Sequence, residues 1–198
     1  MFAVLCGTAL VLIRTALPEG AQPGSQWLDT GSTNLQLAAT IMPFAGISFL
    51  WFMGVMRDGL GSYEDRFFST VFIGSGLLFL AMLFVAAGVG AGLEHAGAVM
   101  DPGAATFGRF LLLTISKTYA LRMAAVFMIS LATIWLKTGL MPHWLVVMSY
   151  LVALGLLVAG DVSMWLTLAF PAWVLVVSVL VLVRAGVIGG EYEQVPRN

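Results

Sequence analysis

The stretch "SKTYALRMAAVFMIS", residues 116 to 130, is apolar enough to lie in hydrocarbon, yet it carries Lys117 and Arg122. What the chain does with those cations depends on the solvent around it, and that solvent decides the fold. The run sits inside a longer apolar segment, 107 to 136, which as helix would be about 45 Å long. Bilayer hydrocarbon is about 30 Å thick, so such a helix must tilt, kink or protrude. With Lys137 at one boundary, Lys117 falls about twenty residues back, at the other. There its long stem can carry the ammonium out to water. Arg122 lies roughly 7 Å deeper.

Facing matters as much as depth. Ser116, Tyr119, Arg122, Val126, Ser130, Thr133 and Lys137 follow spacings of three and four. On a helix they share one arc about 120° wide. All but Val126 are polar. Polar stripes on membrane helices turn toward neighbouring helices or a wet cavity. The expectation is therefore that Arg122 faces the bundle, with Tyr119, Ser130 and Thr133 beside it, while Lys117 is an anchor. Asp161 and Glu94 are the carboxylates nearest in depth. Pro171 also frees the carbonyl of Thr167, and Pro43 that of Ala39, because proline has no N–H to donate. Two roles for Arg122 stand open: a structural clamp on Asp161, Glu94 or the Thr167 carbonyl, and a site for an anion or lipid headgroup.

Composition gives the same solvent. Of 198 residues 60% are hydrophobic and 10% charged, against about 25% charged in soluble domains. A soluble domain of this length could not hide so much apolar surface. Net charge is −1, with no basic cluster to hold nucleic acid. The single cysteine, Cys6, excludes an internal disulfide and argues against a cysteine-based metal site.

Apolar runs place spans at 1–15, 35–56, 66–92, 107–136, 143–160 and 164–184. The fold class expected is an all-α polytopic transmembrane helix bundle of six spans, or five if residues 1–15 do not cross. That first run also reads as a cleaved signal peptide, although it lacks a positive leading region and a clean cleavage site. Between 17 and 34, Gly, Pro, Ser and Thr predict a loop. Ser62 with Asp65 reads as a capping box opening the third span. Arg57, Arg66, Lys137, Arg184 and Arg197 collect on one side of this arrangement, which the positive-inside rule makes cytoplasmic, together with the C-terminus.

Few residues suggest chemistry. Neither His95 nor His143 lies in mid-span, so a haem held across two helices is not expected. Glu64 and Asp65 are explained by a helix start, where carboxylates are favoured. There is no HExxH, GxSxG or phosphate-binding loop. The sequence therefore predicts no catalytic residues, metal or cofactor. Gly88 and Gly92 form a GxxxG, which permits close helix packing, read here first as packing within the chain and second as packing between chains.

The runs "SYEDRFFSTVFIGSGLLFLAMLF" and "LRMAAVFMISLATIWLKTGLMPHWL" resemble segments of uncharacterised bacterial multi-pass membrane proteins. The resemblance spans about residues 40–185. It implies a bacterial cytoplasmic (inner) membrane location and no particular activity. The function expected is a non-catalytic accessory or scaffold protein, or a lipid-contacting subunit. The alternatives are a small oligomeric transporter or channel, and a membrane enzyme acting on lipid. Expected partners are membrane lipid and either a larger membrane complex or a second copy, with no nucleic acid.

Overall fold

The computed structural model describes residues 1–16, 26–60, 66–96, 100–159 and 164–184. Asp161, the Ser62–Asp65 box with Glu64, and the polar C-terminal tail lie outside the described residues.

The described chain is helical throughout. α1 is Phe2–Ala16, α2 Gln26–Leu60 and α3 Arg66–Ala96. α4, Pro102–Leu113, runs through a π-helical segment, Thr114–Tyr119, into α5, Ala120–Thr138. α6 is His143–Ala159, and a 3-10 turn, Met164–Leu168, leads into α7, Ala169–Arg184. Four stretches are long and apolar enough to cross a membrane: Thr33–Leu60, Phe67–Ala96, Pro102–Thr138 and Leu166–Arg184. Two apolar helices, Phe2–Ala16 and His143–Val158, are shorter. At about 22 and 24 Å, they reach less far than the other four.

The helix limits have local causes. α4 begins at Pro102, five residues before the apolar run, because Asp101 caps it: its carboxylate accepts from the N–H groups of Gly103 (2.9 Å) and Ala104 (3.2 Å). Proline at the first helical position needs no partner for an N–H it lacks. α5 stops at Gly139, whose φ of 66° is left-handed and whose N–H returns to the Trp135 carbonyl at 2.9 Å. Part of the loop expected over 17–34 is helix instead, because α2 already begins at Gln26. Extending an existing helix costs far less than nucleating one, so the Gly, Ser and Thr there do not stop it.

The helices form a bundle in which α1 packs on α2 and α7, α2 on α3, α3 on α4 and α5, and α5 on α6. α1 lies along α2 with Thr15 beside Asn34 (Nδ2 to Oγ1, 3.1 Å) and Phe2 beside Phe49 (ring centroids 4.7 Å apart). The centre is aromatic. The Phe127 ring on α5 stands 4.6 Å from Phe72, 5.2 Å from Phe49 and 5.8 Å from Phe170, so α3, α2 and α7 meet on it. Phe79 and Phe170 close the cluster at 4.7 Å. Large rings fill the gap that cylinders leave when several surround one axis.

The outer surface is apolar as well. On α6, Trp144, Val147, Leu151, Leu154 and Val158 are exposed at spacings of three and four. On α2, Phe44, Ile47, Trp51 and Val55 do the same. These stripes carry no charge, and in water such contiguous patches would drive association.

Candidate functional site: a buried arginine, and a polar stripe that turns outward

The stripe on α5 does not face inward as its spacing suggests. Arg122 and Tyr119 are exposed, Tyr119 at 54%. The buried side of α5 is instead the one bearing Ala120, Ala124, Ala125, Phe127, Met128, Leu131 and Ala132. Small alanines let the backbones of α3 and α6 approach, and an inward guanidinium would forfeit that packing. Ser130 is buried, and Thr133 partly so. Their hydroxyls are satisfied by the helix itself: Ser130 Oγ donates to the Val126 carbonyl (2.8 Å) and Thr133 Oγ1 to that of Ile129 (2.7 Å). Thr133 Oγ1 also meets the Tyr150 hydroxyl of α6 at 2.6 Å. Serine and threonine that bond back to their own helix satisfy their polarity locally. Counting them as a sign of facing caused the error.

The π segment contributes. It winds one residue more per turn than α-helix, so it changes the phase between Ser116, which is buried, and Arg122. A straight helix drawn through both residues misplaces the second.

Among the described residues the most buried cation is Arg14, near the end of α1, with 5% of its surface accessible. Its Nη2 donates to Thr167 Oγ1 at 3.3 Å, in the 3-10 turn before α7. Thr167 is itself 2% exposed. The threonine named as a partner for Arg122 is therefore a partner of Arg14, through its hydroxyl. The sequence singles out Arg122 and gives Arg14 no role. The available signal was its spacing of four from Leu10 and eight from Cys6, both buried. Glu94, at the end of α3, pairs with its neighbour His95 (Oε2 to Nδ1, 3.0 Å).

Glycines sort by facing too. A Cβ on Gly88 or Gly92 would meet nothing within 4 Å. The reading of this GxxxG as packing within the chain is thus corrected. Close approaches are made at Gly46, against the Phe84 ring, at Gly76, where a Cβ would lie 2.7 Å from Met53 Sδ and 3.1 Å from Phe127, and at Gly108, 2.6 Å from Leu93. Gly90, two residues from each member of the motif, faces Leu112 at 3.2 Å.

The opposite end of the bundle from Arg14 is basic. Arg57 lies near the end of α2, Arg66 opens α3, and Lys137 and Arg184 lie at the ends of α5 and α7. Lys137 Nζ stands 4.4 Å over the Phe68 ring. Arg184 Nη1 donates to the Leu140 carbonyl and lies 3.8 Å from Met141 Sδ. Its contacts tie α7 to the link between α5 and α6. Among the described residues, no three His, Cys, Asp or Glu side chains gather where they could hold a metal. Comparison with protein-family models, curated proteins and solved structures gave no match.

Proposed function

We propose that this chain is a non-catalytic accessory or scaffold subunit of a bacterial cytoplasmic membrane, packing against a membrane partner and lipid. The observation that carries the reading is the outward face of α3. Ala81, Val85, Gly88 and Gly92 are exposed on it at spacings of four, three and four. In lipid, helices associate through small residues that admit another backbone, and here such a face is left open while the bundle interior is filled by rings. The apolar stripes on α2 and α6 support surroundings of hydrocarbon. The basic ends of α2, α5 and α7 favour a cytoplasmic position for that side and for the C-terminus. The resemblance to bacterial multi-pass proteins supports the compartment.

The alternative of an oligomeric transporter draws on the same α3 face, with a second copy as its partner. A route through the centre of one copy is opposed by Phe127 and Phe170, both 0% exposed and set edge-to-face across it. Solute would have to pass between copies.

Affinity purification from gently solubilised membranes, followed by mass spectrometry, tests the reading. A partner of fixed stoichiometry, lost in Gly88→Ile and Gly92→Ile, is the expected result. A homo-oligomer that conducts solute after reconstitution would replace it with the transporter. A changed lipid profile on deletion, without a partner, would favour an enzyme.

A further inference from the structure

At the basic end, α2, α5 and α7 splay around a hollow of about 170 Å³ walled by Val55, Met56, Leu60, Trp135 and Val181, with Arg184 at its rim. A larger hollow of about 250 Å³ shares Val55, Met56 and Val181 with it and continues between α2, α7 and the start of α1, where Met1 and Phe2 line it along with Ser48 and Ser178. The pair forms a trough that is mostly apolar, its two serines bonded back to their own helices, with Arg184 at the rim of the smaller hollow. Both contacts of Arg184 use Nη1, so its remaining N–H donors have no acceptor among the described residues. Asp58 is the described carboxylate nearest in sequence to that rim.

We propose that this trough seats one anionic phospholipid, its phosphate on the Arg184 guanidinium and an acyl chain along Val55 and Val181. A free phosphate would use the arginine and leave the apolar wall unfilled. A neutral lipid would fill the wall and forgo the charge-assisted hydrogen bond that guanidinium and phosphate make well. Position agrees: the rim lies at helix ends, where headgroups would be, and the wall runs toward the middle. The inference rests on the membrane reading above and deepens it.

The test is thermal unfolding of the full chain in neutral detergent micelles doped with phosphatidylglycerol, phosphatidylcholine or inorganic phosphate alone. Stabilisation by phosphatidylglycerol only is expected. Arg184→Gln should weaken the apparent lipid affinity about tenfold, the loss of one charged hydrogen bond. Val181→Trp, which keeps the charge and fills the trough, should abolish saturable binding. Arg57→Gln should change it little. Equal stabilisation of wild type and Arg184→Gln, or equal losses in Arg184→Gln and Arg57→Gln, would overturn the site. An adventitious annular effect, linear in lipid and blind to both trough variants, would do the same. Release of the chain from membranes by alkaline carbonate would instead sink the membrane reading itself, so the two failures are told apart.

Discussion

Arg14 Nη2 donates to Thr167 Oγ1 across 3.3 Å, and this contact joins the end of α1 to the turn that opens α7. The two residues are 153 positions apart, so the bond closes the bundle between its first and last helices. Thr167→Val keeps the shape and removes the acceptor. It should cost about 1–3 kcal/mol, because a buried donor is left with one bond fewer. Arg122→Gln, at an exposed position, should cost less. Thermal unfolding of both variants in the same detergent checks the order. A larger loss at Arg122 would support the clamp expected there.

Trp173 and Ser149 make the second long-range link. The indole Nε1 donates to Ser149 Oγ at 2.8 Å, and that hydroxyl donates in turn to the Leu145 carbonyl at 2.7 Å. Ser149→Ala strands the indole N–H and should cost about 1–3 kcal/mol. Adding Trp173→Phe removes the stranded donor, so the double variant should lose less than the sum of the single ones. Additive losses in a double-mutant cycle would show that the two groups do not communicate.

Phe127 carries the centre. Lipid is as apolar as the bundle core, so little transfer energy is lost on truncation and the cavity remains as the main cost. At about 24 cal/mol per Å³, the roughly 100 Å³ left by Phe127→Ala amounts to about 2.4 kcal/mol. Phe127→Leu should cost less than half of that. The comparison distinguishes cavity formation from loss of aromatic pairing, which would penalise both variants alike.

The glycines give a prediction of opposite signs. Gly88→Ala adds a methyl to open space and raises helix propensity, so it should leave stability unchanged or raise it by up to about 1 kcal/mol. Gly76→Leu drives a side chain into Met53 and Phe127 and should cost about 1–3 kcal/mol. Melting temperatures of the two variants settle it. A loss at Gly88 in the isolated chain would place that face inside the bundle.

Cys6 is fully buried on the inner side of α1. A maleimide should modify it at least about tenfold faster in dodecyl sulfate than in mild detergent, since reaction requires α1 to open. Equal rates would mean that α1 is not docked on α2 and α7.

The helices themselves were legible in the residues. Apolar runs at 66–92, 143–160 and 164–184 fall within a few residues of α3, α6 and the turn leading into α7. Gly139 followed by Pro142 marks the end of α5, and Asp101–Pro102 the start of α4, because caps and proline act locally. The site was less legible. Arg14 stands on a helix that is apolar all round, and Val4 and Leu5 look as fit for the core as Cys6 and Leu10. Gly88 and Gly92 match a packing motif, and Gly76 and Gly108 make the close contacts.

Sequence alone therefore determined that these segments are helical and, apart from the starts of α2 and α4 and the π segment, about where they begin and end, since hydrogen bonding along the backbone and capping are short-range. Only the tertiary structure decided which way each helix turns. In water, facing is written in the contrast between greasy and polar sides. Where both sides are greasy, that contrast disappears, and shape takes over: rings at Phe127 and Phe170, alanines on α5, a glycine at 76. Complementary shape belongs to pairs of helices, and a single strip of residues does not contain it.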